Sequence, residues 1–341
     1  MKTRVVLMGV ALCVAVCYVG VPLTVFAAEQ PVDIKITTIQ LRQQQMGVGV
    51  ERLGKYIKER LTDKVRVRTY PAAQLYSGKE ELEALMKGEI QIAYVIGAAP
   101  ETIEPTIQLI KLPFLFPDID VSYKVLDGPV GKKLFSNLES KGMVVLGLVS
   151  SGTVGIHNSK HPIKNPEDFK GLKLRWSGPM GAATLKALGA ISIVSVPEEM
   201  YSAFQQGMID GGANPGIVFY ARKLYDVQKY ITDAGMLNAV HVFLLGNKTW
   251  WNGLPPDIRS GVSEAVQRLV KEQRAEIEVE NKKVFEQIAA KGCQVHYLTP
   301  AEEAAWNKAL QPVYKEFTPA IGADLVKETQ QEVERLTRGK K

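Results

Sequence analysis

The run from Pro255 to Gly292 constrains the architecture most. Pro255-Pro256-Asp257 opens it and Gly292 closes it, as the start and stop of a helix should. Ile258, Val262, Val266, Leu269 and Val270 form an apolar stripe, continued by Ile277, Val284, Phe285 and Ile288. At about 1.5 Å per residue the element would exceed ~50 Å, longer than one small lobe. The pattern therefore predicts a helix over 255–291 that bridges two lobes. Two helices broken near Lys271–Arg274, where the stripe thins, are the alternative.

Upstream, strands and helices alternate. Val32, Ile34 and Ile36 alternate with polar residues as a strand does, and Met46, Val50, Leu53, Ile57 and Leu61 follow at helical spacing. Val65–Arg68 reads as a second strand. A helix over Glu80–Lys87, stopped by Gly88, leads into a third strand from Ile90. Val121, Val125, Leu126, Leu134 and Leu138 suggest one further amphipathic helix. The apolar run Met143–Val149 suggests a buried parallel strand. Such alternation predicts an α/β fold with mainly parallel sheets. Glu80-x-x-x-Ala84-Leu85-x-x-Gly88-x-Ile90 recurs as Glu199-x-x-x-Ala203-Phe204-x-x-Gly207-x-Ile209. The echo fits two lobes of similar topology, although helix–glycine–strand units also recur by chance. Thr299-Pro300-Ala301-Glu302 is a capping box that starts a later helix.

The segment Asp168–Pro215 carries the chemistry. Arg175 ends a short alternating strand, and Gly211-Gly212-Ala213-Asn214-Pro215 sets glycine-rich backbone and an amide nearby. A guanidinium can grip a carboxylate through two parallel hydrogen bonds, and an amide can donate to one of its oxygens. A surface ion pair is the ordinary alternative fate of such an arginine. GxSxG, P-loop, GxGxxG and CxxC motifs are absent from the sequence, and catalysis is not expected. His157 and His161 are four apart, but Pro162 and the Ser-Lys between them argue against a helical metal pair. No cofactor and no metal are expected.

Lys2 and Arg4 precede an apolar run over Val5–Phe26, and Val25-Phe26-Ala27 suits cleavage after Ala27. This reads as a secretory signal peptide, with an uncleaved anchor as the alternative. The mature chain keeps one cysteine, Cys293, so no internal disulfide can form and a packed core must supply stability. The net charge of +6 falls to +4 without the leader, since no acid precedes Glu29. Lys and Arg lie scattered among acids, which does not suggest nucleic-acid binding.

Several pieces in order carry a family resemblance: Tyr70-Pro71-Ala72-Ala73-Gln74-Leu75, Leu112-Pro113-Phe114-Leu115-Phe116 and Leu126-Asp127-Gly128. They continue with Asp168–Arg175, Gly207–Gly211 with Asn214-Pro215, and Asn247–Trp250 before Leu254-Pro255. Across roughly Asp33–Glu334 the chain resembles solute-binding proteins of tripartite ATP-independent periplasmic (TRAP) transporters, of the dicarboxylate-binding type. The resemblance implies a two-lobe α/β clamshell with mainly parallel central sheets, its long helix spanning both lobes. It implies a leader over 1–27, lobe I over 28–151 plus about 240–275, and lobe II over 152–239 plus about 276–335. It also implies periplasmic capture of an organic acid, held by Arg175 and Asn214 and delivered by a monomer to inner-membrane TRAP subunits. A ligand-sensing receptor and a binding protein of an ATP-driven importer share the clamshell and are the alternatives.

Further candidate ligand contacts are Trp176, Gln40, Tyr94 and Phe219, with Arg42, His157 and Asn158 as weaker ones. The sequence departs from the family at Val154, where many relatives have a polar group, and at Pro197, where some have an aromatic. Trp176 stands where a small aliphatic residue is usual. One fixed cation amid apolar surface suggests a monocarboxylate with an aliphatic or aromatic body, and a C4-dicarboxylate second.

Overall fold

A computed structural model describes residues 30–195 and 199–338. The leader, its cleavage point and Pro197 lie outside the described residues. The strands are β1 (Val32–Thr37), β2 (Val65–Tyr70), β3 (Ile92–Ile96), β4 (Met143–Asn158), β5 (Lys173–Arg175), β6 (Ile191–Ser192), β7 (Gly211–Pro215), β8 (Tyr230–Asp233), β9 (Ala239–Asn247) and β10 (Gln294–Tyr297). Their spatial order is β2-β1-β3-β9-β4-β7-β5-β6, with β8 beside β4 and β10 beside β8. One flank, β2-β1-β3-β9, is matched by the other, β6-β5-β7-β4. In each, three strands run parallel and the fourth antiparallel. The echoed helices, Gly78–Lys87 and Met200–Gln205, lead into the equivalent strands β3 and β7. The architecture is the expected α/β clamshell.

Strand β4 is where the halves meet. Its first part pairs with β9, from Met143 opposite Asn247 to Thr153 opposite Ala239. Its last part, Val154–Asn158, pairs with β7 and β8 in the other sheet. A register shift between Ser150 and Thr153 separates the two parts, as a β-bulge that redirects a strand. All these pairings are antiparallel, so the apolar run Met143–Val149 is not a parallel strand. Its hydrophobicity follows from the helices that cover it, since burial rather than strand direction selects apolar residues.

The long helix is continuous over Pro256–Ala290, about 50 Å, with no break at Lys271–Arg274. Its first half packs on helix Gln45–Leu61, burying Val262, Val266 and Leu269 with Ile34, Leu53 and Ile57. Its second half packs on helix Gly216–Ala221, burying Phe285 and Ile288 with Phe219 and Met200. Each fully buried Leu or Ile of these clusters contributes about 1.5–3 kcal/mol. The expected single helix through Val121 and Leu138 is two, Ile119–Leu126 and Pro129–Ser140. Pro129, as the first residue of the second helix, cannot continue the first. Helices Gln311–Ile321 and Ala323–Thr337 share one core with the elements around Leu109, Val125 and Leu134 and with Leu185 of helix Gly178–Ala187.

Gly152 sits in the β4 bulge at φ +94°, a conformation L side chains rarely adopt. A Cβ there would lie 2.6 Å from Asn281 Oδ1 on the long helix. Gly152→Ala is therefore expected to destabilise the fold by about 1–3 kcal/mol. Urea unfolding checks this, and an unchanged midpoint would contradict the constraint.

Candidate functional site

Adjacent parallel strands place Arg175 and Asn214 at one cleft. Arg175 is the last residue of β5 and pairs in register with Gly212 of β7, so Asn214 lies one step along the same face. These are carboxyl ends of strands, where open α/β sheets bind ligands. Both residues line a cavity of about 140 Å³. Arg175 is 4% exposed. A guanidinium buried this far must be held by polar partners. Its Nη2 donates to Ser177 Oγ at 2.9 Å and to the Ser195 carbonyl at 3.5 Å, and its Nη1 donates to Met200 Sδ at 3.7 Å.

Trp176 also lines the cavity, although it directly follows Arg175. Strand alternation does not apply to it, because β5 ends at Arg175 and the chain turns into helix Gly178–Ala187. Its indole packs against Gly181 of that helix. The opposite wall comes from the first half: Gln40 after β1, Ile96 at the end of β3, and Val240 and His241 on β9. Val154 and Val218 add apolar surface.

Other sequence candidates fall elsewhere. Tyr94 is fully buried in the first core, two residues short of the strand end, and its hydroxyl donates to Gln273 Oε1 at 2.7 Å. Phe219 is also fully buried, its ring 5.0 Å from that of His157. Neither lines the cavity, because each is taken up by core packing. Arg42 pairs with Glu51 at 2.7 Å on the exposed surface. Asn158 braces its own turn, accepting from the backbone of Lys160 and His161. His157 touches Asn214 rather than the cavity.

The cavity is not limited to one cation, as the sequence reading had it. Lys111 and Arg222 also line it. Lys111 Nζ lies 2.9 and 3.0 Å from the two oxygens of Glu101, whose carboxylate is almost fully buried. Burial pushes the Glu101 carboxyl up, and Lys111 pulls it down. This pair reaches across the cleft to the turn after Arg175. A Cβ on Gly178 would sit 2.5 Å from Glu101 Oε1 and 2.9 Å from Lys111 Nζ. Lys111 stands directly before the Leu112–Phe116 motif, so the signal was adjacent but its partner, ten residues earlier, was not legible. Arg222 follows the short helix after Asn214, where sequence pattern alone gives no direction to a side chain.

Two buried imidazoles flank the cleft. Burial pushes His157 and His241 down to about 4, and the cations Arg175 and Arg274 add to the respective shifts. Both rings are thus neutral near pH 7. Among the described residues no group of acids, histidines or cysteines could hold a metal ion.

The chain matches the family described as bacterial extracellular solute-binding protein, family 7, over residues 38–319. It belongs to this family of TRAP solute-binding proteins. It is 33% identical over 309 residues to the C4-dicarboxylate-binding periplasmic protein DctP of Rhodobacter capsulatus, covering 89% of this chain and 92% of the other. A TRAP periplasmic solute-binding protein from Ralstonia eutropha, with bound (S)-2-acetolactate, aligns at TM-score 0.83 and 30% identity, covering 89% and 99% of the two chains. One from Sulfurospirillum deleyianum, with bound succinate, aligns at TM-score 0.78 and 34% identity, covering 87% and 98%. The family is one of substrate-binding transport proteins and not an enzyme family, and its DctP members are periplasmic.

The neutral histidines make stability depend on pH. Free imidazole titrates near 6.5. Between pH 6.5 and about 4 the unfolded chain binds protons at both rings and the folded chain does not, so stability falls as pH falls. Each ring contributes roughly 3 kcal/mol of this loss by pH 4. Urea midpoints at pH 6.5 and 4.5 should therefore differ less in His241→Gln than in the wild type. Equal pH dependence in the two proteins would contradict the assignment.

Proposed function

We propose that this chain captures a small organic acid in the cleft and delivers it to the membrane subunits of a TRAP transporter. The carrying observation is the buried Arg175 beside Asn214 at the carboxyl ends of neighbouring strands. In this reading the two guanidinium nitrogens grip a carboxylate, and Asn214 donates to one of its oxygens. Ser177 and Ser195 orient the fork before the ligand arrives. Gln40 and Trp176 contact the remainder of the solute.

The preferred solute is a monocarboxylate with an apolar or aromatic body. Ile96, Ile110, Val154, Val218 and Val240 supply an apolar part of the wall, and Glu101 neutralises Lys111. (S)-2-Acetolactate, bound by the Ralstonia relative, is such a monocarboxylate in charge, although its body carries a hydroxyl and a keto group. A C4-dicarboxylate is the second reading. It is favoured by Lys111 and Arg222 on the cavity wall and by the succinate of the Sulfurospirillum relative.

Binding would close the lobes about a hinge at the β4 bulge, the start of β9 and the middle of the long helix. The first lobe then comprises β1–β3, most of β9 and the first part of β4, and the second comprises β5–β8 and β10. The C-terminal helices brace both, rather than the second alone. Closure is favoured only by contacts that need both lobes, such as Lys111 and Gln40 facing Arg175 across the ligand. Export through cleavage near Ala27 would put the protein in the periplasm as a monomer.

Arg175→Lys keeps the charge but loses the fork. It should weaken binding by about tenfold to a hundredfold with little change in melting temperature. Isothermal titration with (S)-2-acetolactate and with succinate checks this, and near-normal affinity in the variant would refute the site. A larger melting shift with succinate than with acetolactate would reverse the ligand order.

A further inference from the structure

Behind Asn214, away from the cavity, lies a second layer that the binding site does not account for. His157 on β4 is completely buried, with the rings of Phe204 and Phe219 centred 5.3 and 5.0 Å away. Its Nε2 lies 3.0 Å from Asn214 Oδ1 and its Nδ1 lies 2.9 Å from Gln228 Oε1, so a neutral ring requires one of the two amides to turn. Gln228 is itself completely buried. The ring is neutral near pH 7 and carries one N–H, so it donates to one amide and accepts from the other.

The two ends of an amide have the same shape, so the hydrogen-bond network decides which way each points. Turning Gln228 end for end gives Nδ1 a donor, loses a 3.2 Å bond to the adjacent Val227 carbonyl and turns the Gln228 oxygen toward that neutral carbonyl. Turning Asn214 instead would aim its oxygen at the cavity, where a bound carboxylate already presents oxygen. Facing oxygens without water between them are costly, and more so when one belongs to an ionised carboxylate rather than a neutral carbonyl. The cheaper arrangement keeps the proton on Nε2 and the Asn214 oxygen toward the ring. The Asn214 nitrogen then faces the solute with its hydrogens outward.

We propose that His157 is a positioning residue for solute selection. By donating from Nε2 it locks Asn214 as a hydrogen-bond donor toward the cavity. The solute must then present an acceptor beside its carboxylate contact, such as a carboxylate, keto or hydroxyl oxygen. A 2-ammonium group, which has no lone pair, is refused. The inference rests on the reading of Arg175 and Asn214 as the carboxylate site.

Nitrogen-15 spectra of the imidazole rings in the intact protein test it at pH 7, with the His157 signals assigned by their loss in His157→Gln. The expected result is a slowly exchanging proton on Nε2 and none on Nδ1. A proton on Nδ1, alone or with Nε2, overturns the proposal, and this readout needs no ligand. Titrations with succinate and (S)-2-acetolactate add a second arm. His157→Gln, whose amide can still donate to Asn214, should keep affinity within about threefold, and His157→Met should lose about tenfold, one hydrogen bond to a charged ligand site. Equal affinities in folded His157→Met and wild type would also overturn it. Unchanged affinity in Arg175→Lys would instead remove the carboxylate site, leaving the ring tautomer to decide the role of His157.

Discussion

Strand β4 belongs to both sheets, and the molecule is arranged around the redirection it makes between Ser150 and Thr153. An uninterrupted strand would have fused the halves into one flat sheet. The bulge, with Gly152 at φ +94°, turns the last five residues into the second sheet and leaves a cleft beside the turn. The long helix then spans the junction from behind. Asn281 on that helix donates to Thr153 Oγ1 at 3.4 Å, and Arg274 donates to the Leu148 carbonyl, so helix and strand are tied at the same level.

The cleft concentrates buried charge, which a protein interior tolerates only with partners. Arg175 rests on hydroxyl, carbonyl and thioether groups that steady it. Lys111 is neutralised by Glu101 inside the first half. In the proposed function Arg175 meets the charge of an incoming acid. Lys111 braces the lobe–lobe contact at Gly178, where a side chain would collide with the pair.

Local pattern carried much of this architecture in the sequence. The apolar stripe of 258–288 gave the long helix nearly to the residue, since its contacts repeat every turn. The placement of Arg175 and Asn214 at one cleft was legible because each stands at a strand end in a recognisable run. What failed was information held between distant segments. Tyr94 looked like a cleft residue from its place near a strand end, but Gln273, 179 positions later, holds its hydroxyl. The direction of β4 was misread because an apolar run reports burial, not pairing. The Glu101–Lys111 pair and the His157–Asn214–Gln228 chain were invisible, as only the fold brings those residues together.

The central claim is that the fork of Arg175 receives the acid group of the solute between the lobes. A crystal structure of the protein with its solute bound tests it most directly. The account predicts a carboxylate accepting two hydrogen bonds from Arg175 and one from Asn214 Nδ2, enclosed by Gln40 and Trp176. A solute held elsewhere, or an Arg175 turned away from its acid group, would contradict it.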